Sequence, residues 1–153
     1  MYGVLSKDEI KKTAELVCQI LGGGENAKNL LLETCAAETL MGTYRNKIQY
    51  SYGLGLCQFD RVAFDNVKQK TSLTKKELII KWFNVDIDKV EYRELAYSPL
   101  LSMIWCRLYY LLIPSVIPST LEGRAEYWKK YYNSVLGAGT VEEYIKKSKC
   151  IEE

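Results

Sequence analysis

The chain has 153 residues, a length that suits one domain built on a single substantial core, and 1–153 is read as that one domain. Lys and Arg number 21 against 19 Asp and Glu, and a net charge of +2 gives no electrostatic footprint for nucleic acid or for an anionic membrane. Histidine is absent, which removes His-based triads, His-ligated zinc and His acid–base pairs, and leaves proton transfer to Glu, Asp, Tyr, Lys or Cys.

Ser6-Lys7-Asp8-Glu9 is a capping box, and Ile10, Ala14, Val17, Cys18 and Leu21 follow at helical spacing, so a first helix is expected. Gly22-Gly23-Gly24 ends it; with no Lys-Ser/Thr pair behind it, the triplet reads as a helix stop and not a phosphate loop. A second helix is expected from near Asn26 to about Leu40, nearly continuous in apolar residues and carrying Glu38 in its last turn. Residues 42–58 form a long connection, the kind that is often functional in a compact domain. Gly53 and Gly55 within it should supply positive φ or close backbone approach.

Phe59, Val62, Ala63, Phe64 and Val67 mark a short helix. Thr74-Lys75-Lys76-Glu77 reads as a second capping box, opening a helix that holds Leu78, Ile79, Trp82 and Phe83. Asn84 to Glu91 suggests a turn and a new helix start at Asp88. Ser98-Pro99 is an N-cap and first-turn pair that opens the most apolar segment, Leu100 to Ile113. At fourteen residues with an internal Arg107 this segment is too short to span a bilayer, so it is expected as the buried central helix. Arg107 then needs a partner, with Glu94 or Asp65 as the default ion pair. Pro114 and Pro118 end the segment. A helix from about Leu121 to Tyr132, a turn over Asn133–Gly139, and a last helix capped by Thr140-Val141-Glu142-Glu143 complete an all-α fold with no strand alternation. The five cysteines are odd in number and have no CxxC spacing, which suggests free thiols and a reducing cytoplasm. The N-terminus has no apolar signal core, so synthesis without a signal peptide is expected.

The chemistry concentrates at Glu38. A carboxyl flanked by Ala36-Ala37 at the end of a greasy helix is desolvated, which holds its proton, and glycoside cleavage needs such an acid to protonate the leaving oxygen. The alternative is a solvated or ion-paired residue near a helix C-terminus. Asp60 is a possible second carboxylate for activating water, or simply the N-cap of the helix that follows. Tyr44, Tyr50, Tyr52 and Trp128 could stack on sugar faces, or serve as core and scaffold.

Three segments carry a family resemblance: A-A-E-T-L-M-G (36–42), G-L-G-L-C-Q-F-D (53–60) and Y-W-K-K-Y-Y-N-S-V-L-G-A-G-T (127–140). Glu38-Thr39 followed by Gly53–Phe59 resembles the lytic transglycosylase and goose-type lysozyme pattern, in which an E-S pair precedes a G-L-M-Q turn. Closer still, the chain resembles tailed-phage and prophage proteins of the lysozyme-like superfamily over roughly residues 28–145. The resemblance implies a lysozyme-like helical domain with a catalytic cleft that cuts the β-1,4 bond between N-acetylmuramic acid and N-acetylglucosamine. Glu38 is the implied acid, Tyr132 the hydroxyl that orients it, and Gly55, Leu56, Gln58 and Asn133 line the groove with Tyr52. Thr39 stands where Ser is usual, and Tyr132-Asn133 is followed by Ser-Val-Leu-Gly instead of Ala-Gly. Neither a metal nor another cofactor is implied. The implied partner is a peptidoglycan strand, with no nucleic acid and no membrane insertion, reached at the cell wall after phage lysis or within a virion. Whether water or the substrate's own C6 hydroxyl attacks is left open. So is a non-catalytic phage structural or accessory protein that keeps the fold.

Overall fold

The structure is a computed structural model and describes residues 1–4, 6–44, 53–133 and 137–153. Among these residues it is all-helical, with seven α-helices: α1 (Lys7–Leu21), α2 (Gly24–Thr39), α3 (Arg61–Lys70), α4 (Leu73–Phe83), α5 (Pro99–Leu111), α6 (Leu121–Trp128) and α7 (Val141–Ser148). Short 3-10 turns cover Ile87–Lys89, Tyr92–Ala96 and Lys149–Ile151, and a π-turn covers Lys129–Asn133. None of the described helices is long and apolar enough to cross a membrane.

Caps set most of the helix starts. The side chains of Ser6, Asp60, Ser98, Thr120 and Thr140 each accept a backbone N–H from the first turn of the helix that follows. Asp60 thus takes its capping role, and α3 starts at Arg61 and not at Phe59, because Phe59 is held in an antiparallel bridge with Leu54. The cap of α4 is Ser72 instead of Thr74: Thr71 closes α3 through Val67 O, and the adjacent hydroxyl of Ser72 takes up Lys75 N–H at once. The start expected at Asp88 is one 3-10 turn capped by Asp86. The helix expected to reach Tyr132 is α-helical only to Trp128, after which the backbone widens into the π-turn.

Helices α2 and α5 are the most buried. Ten of the sixteen residues of α2 and nine of the thirteen of α5 are buried, against five of fifteen in α1. One apolar cluster runs from Ile10 through α2, the Leu56–Phe59 turn and α5 to Ile151. A smaller one joins Ala37 to Ala125, Trp128 and Tyr144. Trp105 stacks on Phe64 at 4.8 Å and donates to its carbonyl, which fastens α5 to α3. Arg107 finds neither Glu94 nor Asp65; its Nε donates to the carbonyl of Gly22 at 2.9 Å, at the end of α1. That carbonyl is one of the groups a helix terminus leaves without an internal partner, and a guanidinium satisfies it. Glu94 is engaged in a capping box with Glu91, and Asp65 pairs with Arg61.

Two charged residues buried together were not expected from the sequence. Glu33 on α2 accepts from Arg124 Nε and Nη2 at 2.8 Å each, and from the Tyr144 hydroxyl at 2.8 Å. Both side chains are under a tenth exposed, so this fork ties α2, α6 and α7 together in the interior.

Candidate functional site

The last turn of α2 is the best-prepared chemical position in the chain. Leu40 (φ 49), Met41 (φ 58) and Gly42 (φ 81) are left-handed in succession, which turns the chain away immediately after Thr39. Non-glycine residues adopt this conformation at a cost and cluster at functional sites. Thr39 is fully buried: its Oγ1 donates to Leu56 O at 2.8 Å and accepts from Gly42 N–H at 3.1 Å. Thr39 therefore locks the helix end, and Glu38 with it, to the turn that follows.

That turn, Gly53–Phe59, is tight. Leu54 and Phe59 exchange backbone hydrogen bonds of 3.0 Å, and Gln58 N–H reaches Gly55 O at 3.0 Å. Gly55 (φ 79) meets both conditions expected of it, since a Cβ there would stand 2.0 Å from Leu95 O and 2.8 Å from Ser102 Oγ. A side chain at Gly53 would collide with the backbone of Gln58. Two hydroxyls pin the turn from outside: Tyr132 donates to Cys57 O at 2.5 Å, and Tyr92 to Phe59 O at 2.7 Å.

Glu38 is half-buried, its carboxyl crowded by protein on most sides. Burial pushes its pKa up to about 7, against the Trp128 indole N–H and the Lys147 ammonium, which both favour the anion. Its place in the last turn of α2, at the negative end of the helix, also disfavours charge. A carboxyl that exchanges its proton near neutrality has the property required of a general acid that must then act as base.

The other expected site residues are distributed as follows. Thr39, Gly55, Leu56, Gln58 and Tyr132 do converge on one turn, but several take roles different from those implied. Leu56 is fully buried in the core and presents no side chain to a groove. The Gln58 amide folds back to donate to Gly55 O at 2.9 Å. The Tyr132 hydroxyl, implied as a donor to Glu38, gives its single proton to Cys57 O, and its ring stacks on Tyr110 at 5.4 Å. Asn133 accepts from Lys129 Nζ at 2.8 Å within the π-turn. Asp60 is exposed, and its Oδ1 accepts the Ala63 N–H at 2.7 Å. Trp128 is 2 % exposed, a core residue and not a stacking platform, while Tyr44 is 51 % exposed. Tyr50 and Tyr52 lie outside the described residues.

Among the clefts on the described residues are two of about 500 and 460 Å³, and neither of these is lined by Glu38, Gln58 or Tyr132. The larger runs over Glu33 and Arg124 between α1, α2 and α6. The residues missed by sequence reasoning are Lys147, which donates to Ala37 O at 3.4 Å, and the Glu33–Arg124–Tyr144 fork. Glu33 did carry a signal, as a lone carboxylate between Leu32 and Cys35 in an apolar run; Lys147 carried none. Among the described residues, no group of three or more His, Cys, Asp or Glu is placed to hold a metal. Comparison with known proteins returned no matching family model, no matching curated protein and no matching solved structure.

Proposed function

We propose that the protein is a peptidoglycan-cleaving glycosidase in which Glu38 protonates the leaving oxygen of the β-1,4 bond between N-acetylmuramic acid and N-acetylglucosamine. The observation that carries the reading is a half-buried carboxyl, its pKa pushed up to about 7 by burial, at the end of a helix locked by Thr39 to a rigid glycine turn. The likeness of segments 36–42, 53–60 and 127–140 to lysozyme-like phage and prophage proteins supports the same reading and supplies the substrate class. Asp60 is spent as a helix cap, which favours single-acid chemistry, with the C6 hydroxyl of the substrate attacking to give a 1,6-anhydro end.

The test is clearing of a bacterial cell-wall suspension by wild type and by Glu38→Gln, with circular dichroism to verify the fold. Wild type is expected to clear and the variant to lose at least about 100-fold in rate, the usual worth of a general acid. Clearing that survives in a folded Glu38→Gln protein rejects the assignment. Mass spectrometry of the released muropeptides separates hydrolysed from anhydro ends by the mass of one water.

One observation favours a second reading, a non-catalytic structural or accessory protein. Tyr132 gives its only proton to Cys57 O, and the Gln58 amide is folded back onto Gly55 O, so both side chains are engaged inside the turn. Such a protein releases no muropeptides and binds no glycan.

A further inference from the structure

Trp128 ends α6 with its ring held on several sides. It lies against Tyr144, centroids 5.1 Å apart, and packs with Ala37 and Ala125. Its far edge approaches Gly139 so closely that a Cβ there would stand 2.6 Å from Cη2. The indole Nε1 is buried and, among the described residues, donates no hydrogen bond of ordinary geometry. A buried N–H without an acceptor is unfavourable, so its surroundings should supply one in some state of the protein.

The groups that face Glu38 narrow the choice. From α7 comes Lys147, whose ammonium already reaches Ala37 O and lies 3.8 Å from Glu143. From the π-turn comes Tyr132, whose proton goes to Cys57 O. From α5 comes Tyr110, whose hydroxyl pairs with Thr34 at 2.8 Å, and from α2 itself the Cys35 thiol. Trp128 is the neutral donor left uncommitted, and its ring packs on Ala37, the chain neighbour of Glu38.

We propose that Trp128 is the positioning residue for Glu38, its indole N–H closing onto the carboxylate as the proton leaves and loosening as it returns. The inference rests on the reading of Glu38 as the general acid. As the glycosidic C–O bond breaks, its electron pair stays on the leaving oxygen, which takes the proton of Glu38. The resulting carboxylate receives the N–H hydrogen bond. It then removes a proton from the attacking hydroxyl, whose oxygen bonds to the anomeric carbon, and Glu38 is again protonated. Trp128 changes neither bonds nor charge. It fixes which way the carboxylate points between the two half-reactions.

Trp128→Phe removes the donor and leaves a smaller aromatic side chain in its place. The titration of Glu38 is read from the pH dependence of urea stability, each protein being compared with its own Glu38→Gln partner. In Trp128→Phe, Glu38 is expected to titrate at a pH higher by about 0.5–1, because the anion has lost a hydrogen bond. This change should survive 0.5 M salt, unlike that of Lys147→Met, which is screened. The upper limb of the clearing profile should move by the same amount. Titration at the wild-type pH in folded Trp128→Phe overturns the proposal. Should that variant fail to fold, the wild-type tryptophan emission decides. It is expected to titrate with Glu38 and to lose that step in Glu38→Gln, and a step unchanged in Glu38→Gln overturns the contact. A shifted titration in a protein that clears no walls keeps the Trp128–Glu38 contact and overturns the glycosidase reading alone.

Discussion

Glu38 is an acid whose surroundings work against its charge, and that has a sign in stability. Its pKa is about 7 in the folded protein against an ordinary 4.5. Between these values the folded chain holds a proton that the unfolded chain has released, so stability falls as pH rises through this window. The contribution is fully present below about pH 4.5 and gone above about pH 7. Glu38→Gln removes the ionisation while keeping the shape. Allowing for the surface Glu38 keeps, the variant should gain on the order of 2 kcal/mol over wild type above pH 7, relative to their difference at pH 4.5. Urea unfolding at pH 4.5, 6 and 8 measures it, and a difference that does not change with pH refutes the buried-acid description. Gly55 makes the complementary case for the backbone. Gly55→Ala must bear the left-handed φ and a 2.0 Å collision with Leu95 O, so a loss above about 2 kcal/mol is expected. Gly24→Ala, also at positive φ (62) but with nothing within 4 Å, isolates the conformational part at about 1 kcal/mol. Equal losses in the two thermal melts would mean that the close approach at Gly55 is not tight.

At the scale of elements, α2 is held from two directions, by Thr39 at its end and by Glu33 in its middle. Removing Arg124 leaves the Glu33 carboxylate buried with only the Tyr144 hydroxyl, and losing one partner of a buried pair costs about 3–5 kcal/mol. Arg124→Met is therefore expected to be severely destabilised in urea. The double variant Glu33→Met/Arg124→Met should recover much of that loss, because two apolar side chains replace two charges in the same space. A double variant as unstable as the sum of the two single ones would show that the charges act independently. The elements themselves were largely legible in the sequence. Ser6, Ser98-Pro99 and Thr140 announced their helices because capping is local chemistry, and Gly55 announced a close turn for the same reason. What could not be read is what depends on distance. The acceptor for Arg107 is a backbone carbonyl 85 residues away, which no side chain marks. Glu33 and Arg124 are 91 residues apart. Leu40 and Met41 are left-handed although neither belongs to the turn-forming residue types, so the sharp exit after Thr39 was invisible. At the site, the sequence put Gly55, Leu56, Gln58 and Tyr132 around one turn, while the direction of the Tyr132 hydroxyl and the Gln58 amide required the fold.

Over the whole molecule, the usefulness of a locked carboxyl depends on whether the Gly53–Phe59 turn moves with the core or apart from it. The thiols report on this. Cys18, Cys35, Cys57 and Cys106 are free and buried, and Cys150 is free and half-buried. Burial raises the thiols of Cys18, Cys35, Cys106 and Cys150, which further slows their reaction at neutral pH. Cys35 on α2, Cys57 in the turn and Cys106 on α5 are buried in the same apolar cluster, so the three elements share one core. In the native protein a disulfide reagent should react first, though slowly, with Cys150, the half-buried thiol, and with the others only when the chain opens. The turn is fastened by Thr39, Tyr92 and Tyr132 and buried through Leu56, Cys57 and Phe59, so it has no low-energy way to open alone. Cys57 is therefore expected to be labelled at the same rate as Cys35 and Cys106, and that rate should rise with urea in step with global unfolding. Mass spectrometry of partly labelled protein reads each position. Cys57 reacting well ahead of the other two would mean that the turn detaches from α2 in the native state, and the role proposed for Glu38 as an aimed acid would then lose its rigid support.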